Sequence, residues 1–272
     1  MTHKDQGMLS EVPETMLWTL HNRASEAMRR DGILEDPKAV EIYRSIDYDY
    51  VRSFGPPDAS HSLRSLVFDR EITAFLGEHP RGVVVNLGEG LETQRFRVDR
   101  PDALWLSVDL PQAIEVRERF IEPDERHVHV PVSAFDRSWL DEIPEGRPAM
   151  VTAQGLFMYF NPADVRALVR DLADHPAVRV LMFDTIPGWF SRKTLSPKGL
   201  MKTEHYRTPP MPWGINRAAL KPTMREWLGA GPKIADLGYP RFPRGLARFV
   251  STLWALVPGL GTFAPSIVRV QL

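Results

Sequence analysis

Hydrophobic and polar positions divide this chain into a helical front part and a longer part in which strands and helices alternate. Short apolar runs that end in glycine or polar residues predict strands over 83–87, 104–109, 127–131, 149–153 and 179–184. The segments between these runs predict helices over 91–98, 111–121, 136–142 and 162–174. This order of strands and helices is typical of a doubly wound, mostly parallel sheet with helices on both faces.

The first 78 residues are predicted to form a helical cap on a core that spans 79–272. Apolar residues at helical spacing predict helices over 15–30 and 62–76, and Pro37 suits the first position of a helix between them. An open α/β sheet binds its ligands at the carboxyl ends of its strands. We therefore expect the cap to cover that edge of the sheet.

Beyond Asp184 the alternation of strands and helices stops. Residues 185–222 are rich in proline and aromatic side chains, which favours a substrate lid over a disordered segment. A helix, a strand, a second helical segment and an alternating final strand are predicted over 222–229, 233–237, 241–259 and 266–272. The last two strands are expected to pair antiparallel and complete a seven-stranded sheet. For the segment 241–259, packing on the sheet, closing a pocket and forming a dimer face remain open.

The candidate chemistry begins where the first strand runs into a glycine turn, Asn86 to Gly90, and Asn86 is itself a candidate for cofactor binding. Gly88 and Gly90 permit a sharp bend and a close approach of a ligand to the backbone. Asp109 ends the second strand about 20 residues later, which is typical of a carboxylate that holds the ribose of a nucleoside cofactor. The turn lacks the third glycine of a dinucleotide motif, and Glu89 places an anion where a pyrophosphate would bind. A phosphate-free cofactor such as S-adenosylmethionine (SAM) is therefore favoured.

Composition narrows the range of functions. The 34 basic and 35 acidic residues nearly cancel, and no basic block is present, so a nucleic-acid partner is not expected. The chain has no cysteine, which excludes disulfides, thiolate metal ligands and a thiol nucleophile. No clustered histidines and acids show metal-ligand spacing. The polar beginning and the lack of a run of about 18 apolar residues predict neither a signal peptide nor a membrane span, and we expect a cytoplasmic protein.

Several motifs together resemble the leucine carboxyl methyltransferase family, and within it the bacterial branch of polyketide O-methyltransferases of the tetracenomycin type. They are VNLGEGLET at 85–93, VDLP at 108–111, SAFDRSWL at 133–140, GLFMY at 155–159, and Asp36-Pro37 after a basic helix. The resemblance extends from about residue 15 to residue 185 and is patchy beyond. It implies a class I SAM-dependent methyltransferase, with a Rossmann-like, mostly parallel sheet of seven strands, an N-terminal helical cap and a lid insertion.

The resemblance also implies roles for individual residues at the cofactor. Gly88 and Gly90 would approach the amino acid end of SAM. Arg64 would pair with its carboxylate, since a guanidinium binds a carboxylate with two parallel hydrogen bonds, and Arg23 would assist. Asp109 would hold the ribose hydroxyls, although a carboxylate there is also suited to capping the next helix.

Ser133 and Ala134 would contact the adenine region, with Asp136 close by. Gln154 stands where the family usually has glutamate, and Glu92 stands where aspartate is usual. An amide at position 154 retains hydrogen bonding but does not neutralise a sulfonium. For each of these residues a purely structural role remains open.

Methyl transfer from a sulfonium requires chiefly that the acceptor be aligned and water excluded. A carboxylate acceptor is already ionised at neutral pH, whereas a phenol benefits from a base. His205 and Tyr206 in the lid and Tyr159 are the catalytic candidates, and none is singled out as a general base. The lid aromatics Trp189 and Trp213 favour a flat acceptor of the polyketide kind, and they are equally suited to a core.

The leading hypothesis is thus a SAM-dependent enzyme that methylates an oxygen, carboxylate or phenol, of a small aromatic natural product. One alternative is a degenerate SAM-binding protein without activity, which the glutamine at position 154 supports. A less favoured alternative is an NAD(P)-dependent oxidoreductase, because the glycine turn does not suit a pyrophosphate. The expected partner is a small-molecule acceptor, and the chain is a possible homo-oligomer.

Overall fold

The computed structural model describes residues 14–98, 100–256 and 259–272, and a seven-stranded sheet lies at its centre. The strands are β1 Val83–Leu87, β2 Leu104–Val108, β3 His127–Val130, β4 Ala149–Ala153, β5 Val178–Thr185, β6 Lys233–Asp236 and β7 Ser266–Gln271. Their order is β3-β2-β1-β4-β5-β7-β6, and β7 runs antiparallel to both of its neighbours. Each predicted strand is present with bounds within one residue, so the predicted doubly wound sheet is confirmed.

The sequence of β1 shows why the sheet is buried on both faces. Val83 and Val85 belong to the hydrophobic cluster on one face of the sheet, and Val84 belongs to the cluster on the other. Val85 pairs with Leu106 of β2 and with Val151 of β4, both parallel. The residues that follow these parallel strands therefore meet at one edge of the sheet, where such folds bind ligands.

Ten α-helices surround the sheet within the described ranges. They are α1 Glu14–Ala27, α2 Pro37–Ser45, α3 Tyr50–Phe54, α4 Ser60–Glu78, α5 Gln94–Arg97, α6 Pro111–Glu118, α7 Pro162–Asp174, α8 Gly188–Thr194, α9 Arg217–Leu228 and α10 Gly245–Leu256. Short 3₁₀ turns occupy Arg137–Glu142, Phe157–Tyr159 and Leu260–Phe263. None of the described helices is both long enough and apolar enough to cross a membrane.

The front helices divide between the sheet and the edge above it. Helix α4 packs on one face of the sheet through Phe68 and Phe75, in the same cluster as Trp105 of β2. Helices α1 to α3 instead form a separate cluster that includes Leu91 from the loop after β1 and Tyr206 from the lid. The proposed domain boundary at residue 78, just after α4, stays a prediction.

A buried ion network joins this cap to the loop after β1. Arg23 of α1 places Nη1 3.2 Å from Asp36 Oδ2 and 2.7 Å from Glu92 Oε1. Arg97 of α5 places Nη1 2.7 Å from the same Asp36 oxygen and 2.8 Å from the same Glu92 oxygen. Arg97 Nε also lies 2.7 Å from Asp69 Oδ2. Two guanidinium groups thus face three carboxylates at a largely buried site, and removal of one charge disturbs the balance of the network.

We predict that this network makes the protein sensitive to acid through Glu92. Burial raises the pKa of Glu92, but Arg23 and Arg97 outweigh burial and hold that pKa below its ordinary value. A depressed folded-state pKa adds stability above the unfolded pKa of about 4.3, and this stability is lost as the pH falls further. Glu92→Gln is expected to lower the free energy of unfolding at pH 7 by about 2 kcal/mol, because Asp36 still faces both cations.

The measurement is urea unfolding of the wild type and of Glu92→Gln at several pH values from 7 to 3. The difference between the two proteins is expected to shrink as the pH falls below about 4.3. A constant difference over the whole range would show that Glu92 does not carry the acid sensitivity.

The lid differs from its prediction in two places. Residues 185–222 contain helix α8, and α9 begins at Arg217, five residues before the predicted start at 222. Pro222 lies inside α9 and removes one helical hydrogen bond. Leu220, Met224 and Trp227 are buried at helical spacing, and their burial offsets this loss.

Candidate functional site

A cavity of about 610 Å³ lies at the carboxyl ends of β1, β2, β4 and β5. Gly88, Asp109 and Gln154, which directly follow three of these strands, and Asp184, near the end of β5, line it. Helices α1 and α4 supply another part of the wall. The cavity is therefore at the edge where the sequence predicts a cofactor and a covering cap.

The turn after β1 is shaped for close approach of a ligand. Gly88 and Gly90 have φ angles of +63° and +53°, in the left-handed region that glycine adopts without strain. The carboxylate of Asp109 accepts hydrogen bonds from the backbone N–H of Gly90 and of Leu110, each 2.8 Å long. Asp109 therefore fixes the turn, and the remaining lone pairs of its two oxygens are free to accept bonds from ribose hydroxyls.

We predict that Gly88→Ala lowers the free energy of unfolding by about 1–2 kcal/mol, the cost of a side chain in the left-handed region. An alanine Cβ at this position would also lie 2.6 Å from Leu156 Cδ1, so the Leu156 side chain, which lines the cavity, would have to shift. SAM affinity should fall in the same variant. The matched control is Gly77→Ala in α4, where nothing lies within 4 Å of the added Cβ and alanine favours the helix. Equal stability of the two variants by thermal unfolding would contradict the prediction.

Beneath the turn, Glu89 is the centre of a buried cluster. Asn86 Nδ2 donates to Glu89 Oε1 over 3.0 Å, Ser107 Oγ donates to the other oxygen, and Arg117 Nη2 lies 3.2 Å from Oε1. Thr152 Oγ1 in turn donates to Asn86 Oδ1 over 2.7 Å. Both polar groups of Asn86 are thus engaged within the protein, so Asn86 supports the turn from below.

Arg117, which the sequence analysis missed, supports the loop that borders the cavity. It is fully buried in α6 and donates from Nη1 to Gly90 O over 2.7 Å and to Glu92 O over 2.9 Å. These bonds fix the backbone on both sides of Leu91. In the sequence, Arg117 stands out as an arginine among the apolar positions of a short helix. This pattern does not predict which residues Arg117 contacts.

Arg64 and Asp184 form a buried ion pair at another wall of the cavity. Arg64 Nη1 lies 3.0 Å from Asp184 Oδ2, and Gly155 N–H donates to Asp184 Oδ1 over 2.5 Å. Burial lowers the pKa of Arg64, but Asp184 outweighs burial and raises it, so the guanidinium stays charged. Arg64 Nε is buried and has no hydrogen-bond partner among the described residues. The pair therefore presents a cation with an unused donor.

Gln154 supplies the complementary group. Its Nε2 donates to Glu92 Oε2 over 2.8 Å and to Ser65 Oγ over 3.4 Å, whereas its Oε1 is buried without a partner in the described chain. An unpaired buried oxygen is costly unless a ligand satisfies it. An unused arginine N–H and an unused amide oxygen at one cavity are the groups that bind a carboxylate and an ammonium.

The rest of the cavity wall is largely apolar. Trp18 of α1, Met158, Phe190 and Met211 line it, and so does Trp189, which is 41% exposed. The lid aromatics thus divide between two roles, since Trp213 packs instead in the hydrophobic cluster under the sheet.

Helix α10, in the segment 241–259, also reaches this cavity. Ser251 lines the wall, whereas five apolar side chains of the helix are exposed: Leu246, Phe249, Val250, Leu253 and Leu256. Arg241 and Phe242 of the same segment also line the cavity, and packing on the sheet, closing the pocket and forming a dimer face stay open for it.

Comparison with known proteins identifies the family. A model of the family described as "Leucine carboxyl methyltransferase" matches residues 17–173, more than half of the chain. The chain belongs to the leucine carboxyl methyltransferase family. The family predicted from the motifs is confirmed, and the protein is a SAM-dependent methyltransferase with SAM as its cofactor.

Two curated relatives are similar over most of the same region. The tetracenomycin polyketide synthesis O-methyltransferase TcmP of Streptomyces glaucescens is 35% identical over 190 residues, which cover 68% of this chain and 69% of that protein. The SAM-dependent methyltransferase dpfgK of Gibberella zeae is 26% identical over 191 residues, which cover 63% of this chain and 64% of that protein.

Solved structures agree on the fold. The selenomethionine crystal structure of the CurJ carbon methyltransferase has a TM-score of 0.51 at 13% identity and covers 98% of this chain and 70% of that one. The methyltransferase domain of bacterial CtHen1-C has a TM-score of 0.50 at 12% identity and covers 77% of this chain and 98% of that one. At such identities the likeness shows the fold alone, and it is the class I Rossmann-like fold predicted from the sequence.

Six of the nine residues that the sequence analysis predicts at the cofactor line the cavity: Arg64, Asn86, Gly88, Gly90, Asp109 and Gln154. Arg23 does not line it. Its Nη1 faces Asp36 and Glu92, and its Nη2 donates to Leu91 O over 2.8 Å, so the guanidinium holds the cap in place. Arg23 Nε is buried without a partner among the described residues, and a role for Arg23 at the cofactor stays a prediction.

The predicted adenine contacts also lie away from the cavity. Ser133 Oγ accepts from Phe135 N–H over 3.2 Å, and Ala134 O accepts from Trp139 Nε1 over 3.1 Å. Asp136 is exposed and accepts from Ser138 N–H over 3.0 Å. These residues form a turn after β3 whose polar groups are used locally. They do not line the cavity, and their contact with the adenine region stays a prediction.

Only one of the three catalytic candidates reaches the cavity. Tyr159 lines it, and burial raises the pKa of its hydroxyl to about 12. Tyr206 instead packs edge-on against Trp18 and Phe54 in the cap cluster. His205 is exposed beside Glu204, 3.3 Å from its carboxylate, and does not line the cavity. Within the described residues no group of three or more metal-binding side chains is found.

Proposed function

We propose that this protein transfers the methyl group of SAM to a carboxylate oxygen of a small aromatic acceptor. The observation that carries the proposal is the state of the acids that line the cavity. Glu89 faces Arg117, Glu92 faces two arginines, Asp109 holds two backbone N–H groups, and Asp184 faces Arg64. Each of these acids is already engaged by a cation or by backbone N–H groups, which disfavours a role as a general base. A carboxylate acceptor needs no base because it is already ionised.

The same residues fit the cofactor. Arg64 and Gln154 would bind the carboxylate and the ammonium of its amino acid end, because each has a buried polar atom without a partner in the described chain. Asp109 would bind the ribose, and the backbone at Gly88 would border the amino acid end. The Gln154 amide carries no charge, but its Nε2 donates to the Glu92 carboxylate, and its buried Oε1 has no partner in the described chain and would accept from the ammonium.

Bound there, SAM would supply a methyl group attached to a sulfonium. A C–O bond would form between this methyl group and the acceptor oxygen while the C–S bond breaks, and the electron pair of the C–S bond would stay on sulfur. The protein aligns the acceptor and excludes water. Trp18, Phe190 and Met211 provide an apolar wall for a flat ring, and Tyr159 stays protonated at neutral pH because burial raises its pKa to about 12. The similarity to TcmP, named for polyketide O-methylation, supports an aromatic polyketide as the acceptor class.

The test is transfer of radiolabelled methyl groups from SAM to a panel of aromatic carboxylic acids and phenols. A methyl ester releases methanol in mild base, whereas a phenol ether keeps its label. We expect base-labile product from the acids. Base-stable product from phenols would favour phenol methylation instead. Binding of SAM without transfer to any acceptor would favour the non-enzymatic alternative.

We predict that Asp109→Ala weakens SAM binding by roughly 10- to 100-fold, the usual effect of losing hydrogen bonds to a charged group. Binding weakens for two reasons: the ribose contacts are lost, and the turn becomes looser because the bonds from Gly90 and Leu110 N–H are lost. Isothermal titration with SAM measures the effect, with Asp136→Ala as the control because Asp136 is an exposed aspartate at a cap. An Asp109→Ala protein that folds and binds SAM with wild-type affinity would remove Asp109 from the cofactor site.

A further inference from the structure

His61 stands on the first turn of α4 and lines the cavity, three residues and therefore about one helical turn before Arg64. Its ring meets Trp18 edge to face, with ring centroids 5.4 Å apart and an angle of 86° between the planes. Its Nδ1 lies 2.8 Å from Asn22 Nδ2. The ring is thus held on one side by α1, and its other nitrogen is left at the cavity wall.

The neighbours of Asn22 decide which nitrogen of His61 carries the proton. Asn22 Oδ1 accepts from Asp58 N–H over 3.2 Å, and Asn22 Nδ2 donates to Asp58 Oδ1 over 3.2 Å. The reversed amide would place oxygen against the Asp58 carboxylate and N–H against N–H, so this orientation is fixed. The group that faces His61 is therefore a donor, and Nδ1 must accept from it. A neutral imidazole that accepts at Nδ1 carries its proton on Nε2.

The charges around the ring keep it neutral. Burial lowers the pKa of His61 most, Arg64, Arg23 and Lys202 lower it further, and Asp58 opposes them, with a result of about 3. Lys202 Nζ lies 3.9 Å from Asp58 Oδ2 and reduces the influence of that carboxylate. Among the described residues, Arg64, Arg23, Lys202 and Asp58 are the charged groups that act on the ring. Across the neutral pH range His61 therefore has a donor at Nε2 and no basic lone pair toward the cavity.

We propose that His61 is a fixed hydrogen-bond donor that binds the acceptor through Nε2–H, at the carboxylate oxygen that is not methylated. The proposal rests on the proposed function and deepens it. Nε2 has no hydrogen-bond partner among the described residues, although Nδ1 is satisfied by Asn22. A fixed donor favours an anionic oxygen over a hydroxyl, and it selects aromatic carboxylates among flat molecules that fit the apolar wall.

The tautomer is testable without any activity. Long-range ¹H–¹⁵N correlation spectra of uniformly labelled protein with bound S-adenosylhomocysteine distinguish the two neutral tautomers, and His61→Gln identifies the signals among the eight histidines. We expect the Nε2–H pattern for His61, unchanged from pH 5.5 to pH 8.5. Asn22→Ala removes the donor to Nδ1 and should give a mixture of both tautomers. An Nδ1–H pattern in the wild type, or titration of the ring within this range, would overturn the proposal.

The role in acceptor binding is tested by two substitutions of similar size. Glutamine at position 61 retains an N–H donor, whereas leucine has none. For an aromatic acid that the enzyme methylates, we expect the KM for the acid to rise roughly tenfold in His61→Leu and less than about threefold in His61→Gln. The dissociation constant for SAM should stay unchanged in both. Equal effects of the two substitutions, or a main effect on SAM binding, would contradict the role.

A probe of binding separates this inference from the proposed function. With S-adenosylhomocysteine bound, 2-naphthoate is expected to shift the Nε2–H signal of His61, and 2-methylnaphthalene, which has the same shape without an acceptor atom, is not. If no member of the acceptor panel is methylated, the proposed function fails, whereas the tautomer and the naphthoate shift still decide the role of His61. Equal responses to the two naphthalenes would reject His61 as the carboxylate donor.

Discussion

Replacing Arg64 by methionine is expected to lower the free energy of unfolding by about 3–5 kcal/mol and to remove measurable SAM binding at millimolar concentration. Removal of one partner from a buried ion pair leaves the other charge uncompensated, which accounts for the loss of stability. Here the remaining charge is Asp184, which, within the part of the chain that the structure describes, keeps only the bond from Gly155 N–H. Loss of binding has a separate cause, because the unused Nε donor of Arg64 is lost with the guanidinium.

A second substitution separates these two effects. Asp184→Asn in the Arg64→Met background removes the uncompensated charge while the amide oxygen still accepts from Gly155 N–H. We expect urea unfolding to show that most of the lost stability returns, and calorimetry to show that SAM binding does not. If binding returned together with stability, Arg64 would be structural, and the assignment of the cofactor carboxylate to it would be wrong.

Replacing Gln154 by glutamate is expected to lower the free energy of unfolding by about 3 kcal/mol at pH 8. The substitution turns a hydrogen bond to a charged group into a like-charge contact, since Gln154 Nε2 lies 2.8 Å from Glu92 Oε2. The new carboxyl group should have a raised pKa in the folded state. When the pKa of an acid is higher in the folded state, the free energy of unfolding falls as the pH rises from the unfolded-state pKa, about 4.3, to the folded-state pKa. Above the folded-state pKa the free energy of unfolding no longer changes with pH through this group.

Gln154→Met is the matched control for this prediction. It removes the bond to Glu92 without adding a charge, so its loss of stability should be smaller and should not grow with pH between 5 and 8. Thermal unfolding of both variants across this range measures the difference. Equal pH dependence of the two variants would show that the amide at position 154 is not in contact with Glu92 in solution.

The parts of the molecule that the sequence predicts are those set by local pattern. The apolar run of β1 and the glycines after it determine a buried strand and a sharp turn within eight residues, Val83 to Gly90. Parallel pairing then brings Asp109, at the end of the next strand, to the same edge. These features need no knowledge of distant contacts, so the sheet and the cofactor turn follow from periodicity and glycine chemistry.

What the sequence does not predict depends on partners far apart in the chain. Arg23 resembles a ligand-binding arginine until folding places Glu92, 69 residues later, beside it. Arg117 reaches back 27 residues to Gly90 O. The role of His61 depends on the amide of Asn22, 39 residues earlier. Hydrogen-bond networks of this kind have no periodicity, and only the three-dimensional structure reveals which polar side chains are already satisfied.

In the lid, too, the sequence does not predict which contacts the apolar side chains make. Its composition indicates aromatic contacts, but the segment has no regular spacing that tells which rings face a ligand. In the structure Phe190 lines the cavity, whereas Trp213 lies in the core under the sheet and Tyr206 in the cap cluster. The direction of each ring is set by the elements it packs against rather than by its own neighbours in sequence.

The central claim is that the cofactor lies in the cavity at the ends of β1 and β2, held by Asp109 at one end and by Arg64 and Gln154 at the other. A crystal structure of the protein with S-adenosylhomocysteine tests it most directly. The account predicts ribose hydroxyls within hydrogen-bond distance of the Asp109 carboxylate, and the amino acid carboxylate and ammonium against Arg64 and Gln154 Oε1. A ligand bound elsewhere, or one whose amino acid end lies away from Arg64, would contradict it.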